Sequence, residues 1–133
     1  MEAKHFIKPD IGLVGYEIRG KASLQEMIDL YAVICGDPDF SPDFKGIADW
    51  RFAESNLKVE EIKQLVEHVK ERRLSFGAWV ALVDLPKVTA LAEIYAQSIH
   101  SLHPLYVCST LKEASRLLDI DLAPLLPKTN QDL

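Results

Sequence analysis

Two hydrophobic periods alternate along this chain, and where one gives way to the other the elements change. From Leu13 to Arg19 the period is two: Val14, Tyr16 and Ile18 share one face, and Gly15, Glu17 and Arg19 share the other. That alternation predicts a strand with one wet side, in an antiparallel or edge position. From Ser23 the period lengthens, and Leu24, Met27, Ile28, Tyr31 and Cys35 recur at helical spacing behind Ser23-x-x-Glu26, a capping box. Ala78 to Val83 does neither. It is a continuous apolar run, too short for a helix, and it predicts a strand buried on both faces.

The rest of the chain follows the same rules. His5-Phe6-Ile7 predicts a short strand joined through the turn residues Lys8 to Gly12 to the strand at Leu13, a hairpin. Gly36-Asp37-Pro38 ends the first helix, Asp37 to Asp43 is a Pro- and Asp-rich loop, and Phe44 to Phe52 is the next strand. A second helix starts with Lys58 at its N-cap, Glu61 at its third position and Leu57 with Ile62 as a hydrophobic staple. Its apolar stripe is Val59, Ile62, Leu65, Val66 and Val69, and its outer face is charged. Asp84 and Pro86 open a third helix that buries Val88, Leu91, Ala92, Tyr95, Ile99 and Leu102. Leu105-Tyr106-Val107-Cys108 is a strand, and Thr110-x-x-Glu113 caps a last helix. The expected architecture is a single α/β domain in β-β-α-β-α-β-α-β-α order around a mixed five-stranded sheet, with only the first strand antiparallel to its neighbour. Its core spans about residues 3–121. The apolar tail 122–127 is expected to lie on the body and 128–133 to fray.

Composition narrows the partners. With 133 residues the chain can bury a core without disulfides or metal. Fifteen basic and twenty acidic residues leave a net charge of −5, which argues against a phosphate backbone as partner. The basic cluster Lys70, Arg72 and Arg73 falls at a helix end, where cations oppose the dipole. No apolar run approaches the roughly 18 residues of a membrane span, and MEAKHFIKPD has no signal-peptide apolar region. Cys35 and Cys108 read as small core residues, and a cytoplasmic home is the expectation.

Together with the element order, three residue clusters make the chain resemble STAS-like domains of the branch called SpoIIAA-like or STAS/SEC14. These are Gly20 before the helix capped by Ser23; Ala48-Asp49-Trp50-Arg51, where that branch carries an Asp-x-Arg; and Val83-Asp84 with Leu91-Ala92-Glu93-Ile94-Tyr95, Val107-Cys108, and Glu113-Ala114 followed by a Leu-Leu pair. The resemblance covers about residues 3–121. It implies a right-handed βα superhelix, and either protein partners switched by phosphorylation or, through the SEC14-like comparison, apolar ligands. The switch implies a Ser or Thr at the N-cap of the second helix. This chain has Lys58 there, and Ser55 is the nearest hydroxyl.

Candidate chemistry is sparse. Asp49 and Arg51 lie two apart on a strand and share a face; they are either an ion pair binding a polar headgroup or a structural pair at a strand end. Asp84 ends a strand where α/β sheets place ligands, and is equally a helix-start signal. His100 and His103 sit at a helix end with no third ligand close in sequence, so no metal is expected. The sequence contains no Gly-x-Ser-x-Gly elbow and no Gly-rich phosphate loop, so no catalytic residue and no cofactor is assigned. Trp50, Phe52, Phe76 and Trp79 are expected to cluster, as core or as an apolar cleft with Asp49, Arg51 and Asp84 at its mouth. Three functions are therefore expected, in this order: a protein-interaction or regulatory module, a carrier of a small apolar or lipid-like ligand, and hydrolysis at an Asp49/Asp84 crevice. Because both faces of the buried strands are apolar, the N-terminal hairpin and the Leu122–Leu126 tail are expected to cover part of one face and a second copy of the chain the rest, as a homodimer.

Overall fold

The computed structural model describes residues 1–55, 57–129 and 132, the side chain of Ser55 excepted. Strand β1 (Glu2–Lys8) leads through a short 3-10 turn (Pro9–Ile11) into β2 (Leu13–Ala22). Helix α1 (Leu24–Cys35), β3 (Lys45–Ser55), α2 (Val59–Arg72), β4 (Trp79–Leu82), α3 (Pro86–Ile99), β5 (Leu105–Cys108) and α4 (Leu111–Leu118) follow. The five strands lie in the order β1-β2-β3-β4-β5. Only β1 runs antiparallel to its neighbour, and every later pair is parallel. The continuous apolar run forms β4, paired on both sides and away from the edges. Among the described residues no helix is long and apolar enough to cross a membrane.

Helix starts follow the chemistry of the chain closely. The Ser23 Oγ accepts from the Glu26 N–H at 3.2 Å and the Glu26 carboxylate accepts from the Ser23 N–H at 3.1 Å, a complete capping box. At α4 only half of the expected box forms. Thr110 Oγ1 accepts from the Glu113 N–H at 3.1 Å, but the Glu113 carboxylate turns to Arg116. A full charge four atoms from its backbone binds a mobile guanidinium more strongly than one more backbone N–H.

Two buried stripes shift from expectation. Helix α1 buries Met27, Leu30 and Ile34 fully and leaves Leu24, Ile28, Tyr31 and Cys35 half-buried. In α3 Val88, Ala96 and Ile99 are buried, whereas Leu91, Ala92 and Tyr95 keep part of their surface. Val59, at the very start of α2, is exposed.

The two faces of the sheet are covered by different means. Val14, Tyr16, Ile18 and Ala48 pack beneath α1 and α2, with Leu91, Ile94 and Tyr95 of α3 against the same core. The opposite face, Leu13, Ile47, Val80 and Leu82, is covered by Leu111, Ala114 and Leu118 of α4 and by Leu122 and Leu126 of the tail. All four of those strand residues are 0% exposed, closed over by the tail and α4. Lys45 fastens this layer by donating from Nζ to the Leu118 carbonyl at 2.6 Å, a cation at a helix C-terminus.

An aromatic-lined cavity beneath three helices

Between the sheet and helices α1, α2 and α3 lies a cavity of about 100 Å³. Its floor explains its existence. Ala48 on β3 and Ala81 on β4 are register partners on one face, beside Tyr16 of β2. Two methyl groups in the middle of a sheet leave room that helices resting on larger neighbours cannot fill. One step earlier, Gly46 pairs with Trp79. A Cβ on Gly46 would stand 1.9 Å from the indole, so the glycine lets the Trp79 ring lie flat across the sheet at the cavity wall. Trp79 donates from Nε1 to Ser75 Oγ at 2.7 Å, which fixes the ring.

A hydrogen-bonded run of aromatic groups crosses the cavity wall. Trp50 donates from Nε1 to the Tyr16 hydroxyl at 3.3 Å, and that hydroxyl lies 3.3 Å from the Tyr31 hydroxyl. The Tyr16 and Tyr31 rings meet edge to face at 6.1 Å. Tyr95 lines the same wall. Burial pushes all three phenols above their ordinary pKa, and the charge of a neighbouring phenol adds to it at each. They are neutral at any physiological pH. Burial also pushes the His103 imidazole down and the Cys35 thiol up, so both are neutral at pH 7 as well. Among the described residues, no Asp, Glu, Lys or Arg lines the cavity.

Of the expected site residues, the structure brings Trp50 and Trp79 together at this cavity and separates the others from it. Asp49 and Arg51 point to the opposite face, because residues alternate along β3 and Ala48 and Trp50 take the helix side. There Asp49 is 0% and Arg51 4% exposed. The guanidinium donates twice to the Asp49 carboxylate, both at 2.9 Å, and on to Asp132 at 2.8 Å and the Pro127 carbonyl at 2.6 Å. Asp132 also accepts from the Leu111 N–H at 2.7 Å and the Thr129 N–H at 2.9 Å. The pair therefore ties the C-terminal tail, including Thr129 and Asp132 in the segment expected to fray, to the start of α4. It is an internal clamp: four of the five guanidinium N–H groups are engaged within the protein. Asp84 is exposed just beyond β4.

The expected aromatic cluster divides as well. A bulge in β3, where Glu17 pairs with Asp49 but Arg19 with Phe52, inserts one residue and resets the alternation. Ala53 then enters the core under the helices, while Phe52 lies under the Arg19 guanidinium at 4.2 Å. Phe76 is exposed in the loop before β4. His103 is buried, its Nδ1 at 3.2 Å from the Pro104 carbonyl oxygen, and lines the cavity; His100 is exposed at the end of α3. Lys58 occupies the α2 N-cap, exposed. Ser55's side chain lies outside the described residues.

Tyr16, Tyr31 and Tyr95 are the site residues that sequence reasoning missed. Each was placed in an apolar stripe as core. The available signal was that three different stripes each carried one phenol, and a buried phenol needs a partner. Compared with protein-family models and with curated proteins, the chain matches none.

Proposed function

We propose that this domain binds a small, apolar, uncharged molecule in the cavity between its sheet and helices α1–α3, acting as a carrier or sensor. The observation that supports this is the combination of the cavity, its size and its lining of apolar and aromatic side chains with a few convergent hydroxyls and no charge. Its volume is roughly two-thirds of the about 150 Å³ at which a dry protein cavity accepts benzene, so the guest is about that size or smaller. The SEC14-like side of the resemblance to SpoIIAA-like domains agrees with this reading, and the parallel order of β2 to β5 agrees with the resemblance. An interaction module would instead need a contiguous exposed apolar patch. The exposed large apolar side chains Met1, Ile11, Val33, Val59, Phe76, Leu85 and Tyr106 come one each from separate segments.

Native mass spectrometry of protein purified under mild conditions, with solvent extraction and identification of any released molecule, tests the reading. The wild type is expected to carry a small neutral molecule that Ala92→Leu, which fills the cavity from α3, does not carry. Identical extracts from both proteins would overturn it. The same spectra read the oligomeric state.

A further inference from the structure

We infer that the free edge of β1 is the interface of a two-fold dimer, in which β1 of one copy pairs antiparallel with β1 of a second and the two sheets become one. Among the described residues none of β1 lines the cavity, so the inference stands apart from the ligand reading.

The two edges of the sheet are built differently. An edge strand presents a row of unpaired N–H and C=O groups, and proteins blunt that template with short strands, proline, bulges or charge. The β5 edge is blunted: it is four residues long, Leu105–Cys108, and follows directly on Pro104. Strand β1 is seven residues long and contains no proline. It runs against β2 through unbroken register pairs from Glu2↔Arg19 to Lys8↔Leu13, so no bulge turns it away. Its other edge pairs with no strand among the described residues. Glu2, Ala3, Lys4 and Lys8 are exposed along it. Charge is the guard that remains, in Lys4 and Lys8.

That guard fails against one partner, a second copy in one register. A two-fold axis normal to the sheet keeps the same face of both copies on the same side, so even positions of one β1 meet even positions of the other. With the whole strand overlapped, Glu2 meets Lys8 at both ends, Ala3 meets Ile7, Lys4 meets Phe6, and His5 meets its own copy on the axis. Opposite charges directly across two strands attract, and the Lys4 stem can lie along the Phe6 ring. Each imidazole of the central pair keeps a carboxylate of its own, Asp37 Oδ2, 3.6 Å from Nε2. Sliding by two residues destroys the match. One direction sets Lys4 against Lys4, the other sets Lys4 against Lys8 twice, and like charges directly opposite are destabilising. The charge pattern thus selects the longest register and penalises its neighbours.

Charge exchange tests the pairing. In sedimentation across the micromolar range the wild-type mass is expected to rise from 15.0 kDa towards twice that. Glu2→Lys and Lys8→Glu each turn both end pairs into like pairs, and each should weaken association about tenfold. Mixed in equal amounts, the two variants bring opposite charges together again at both ends, and the mixture should regain wild-type association. Mixing cannot repair a folding defect in either variant, so recovery reports the pairing itself. A wild type that stays at 15.0 kDa, variants that associate as tightly as the wild type, or a mixture no tighter than its components would each overturn the inference. None of these outcomes bears on the cavity.

Discussion

The two faces of the sheet solve the same problem in opposite ways. Under α4 and the tail, strand residues are sealed and the polar groups present are ions, Asp49, Arg51 and Asp132, fully paired with one another and with backbone. Under α1–α3 the packing stops short, and the polar groups are neutral phenols and indoles strung around the remaining space. Ions demand complete satisfaction before they can be buried. Neutral hydroxyls tolerate one unfilled partner, which is the condition a binding site needs. A closed face gives stability, and an underfilled one leaves room for a guest.

The sharpest break in this contrast comes from removing Arg51. Arg51→Met leaves Asp49 and Asp132 charged, buried and unpaired, and is expected to lower unfolding stability by about 3–5 kcal/mol in a denaturant titration. The double variant Asp49→Leu/Arg51→Met, which removes both charges of the bidentate pair, should recover most of that loss. If the single variant is nearly neutral, the clamp is solvated and the closed face is not closed.

Next in size is Leu122→Ala. Leu122 is 0% exposed on the sealed face, so its truncation should cost about 3 kcal/mol. Deleting 122–133 altogether should uncover Ile47 and Leu82 and raise the sedimenting mass at micromolar concentration, since a bared apolar sheet face recruits a second copy. An unchanged mass would mean that α4 alone protects it.

Enlarging one alanine on each side then compares the faces directly. Ala114→Leu on α4, at a fully buried position, overpacks the sealed face and should cost about 1–3 kcal/mol. Ala92→Leu on α3 grows into the cavity and should be neutral or stabilising by up to about 1 kcal/mol. Equal costs on both sides would remove the distinction.

The smallest effect is in acid. Burial alone would raise the Asp132 carboxyl, but hydrogen bonds from the Leu111 and Thr129 backbone and the Arg51 charge outweigh it and hold it below its ordinary range. The folded state therefore binds this proton less readily than the unfolded state does. The stability it contributes is present above the unfolded value of about 4 and is lost as pH falls through the lower folded value. Asp132→Asn should flatten the acid limb of a stability–pH profile and leave the neutral region offset but parallel.

What could be read from the chain and what could not divide along the same physical line. Strands and helices follow from periodicity and caps, which are local, so β4, β5 and the Ser23 cap lie where the residues place them. The function of Asp49 and Arg51 depends on which face they take relative to Ala48 and on a tail residue 81 positions away from Arg51, and nothing local announces either. The cavity was hidden for a different reason. It is made by small residues, Gly46, Ala48 and Ala81, that come into register only when β3 and β4 pair. The bulge that separates Phe52 from Trp50 likewise exists only in the pairing of β2 with β3. The buried stripe of α2 was legible; Leu30 and Ile34 of α1 and the half-buried Leu91, Ala92 and Tyr95 were not, because a sequence pattern marks a side chain as apolar without saying what packs against it.

The central claim is that one face of the sheet takes a guest and the other does not. A crystal of the protein under xenon pressure tests it most directly, since xenon enters apolar cavities and little else. The account predicts xenon density beneath α3, against Trp50, Leu91 and Tyr95, with none between the sheet and α4. Density only on the α4 side, or none under α3, would contradict it.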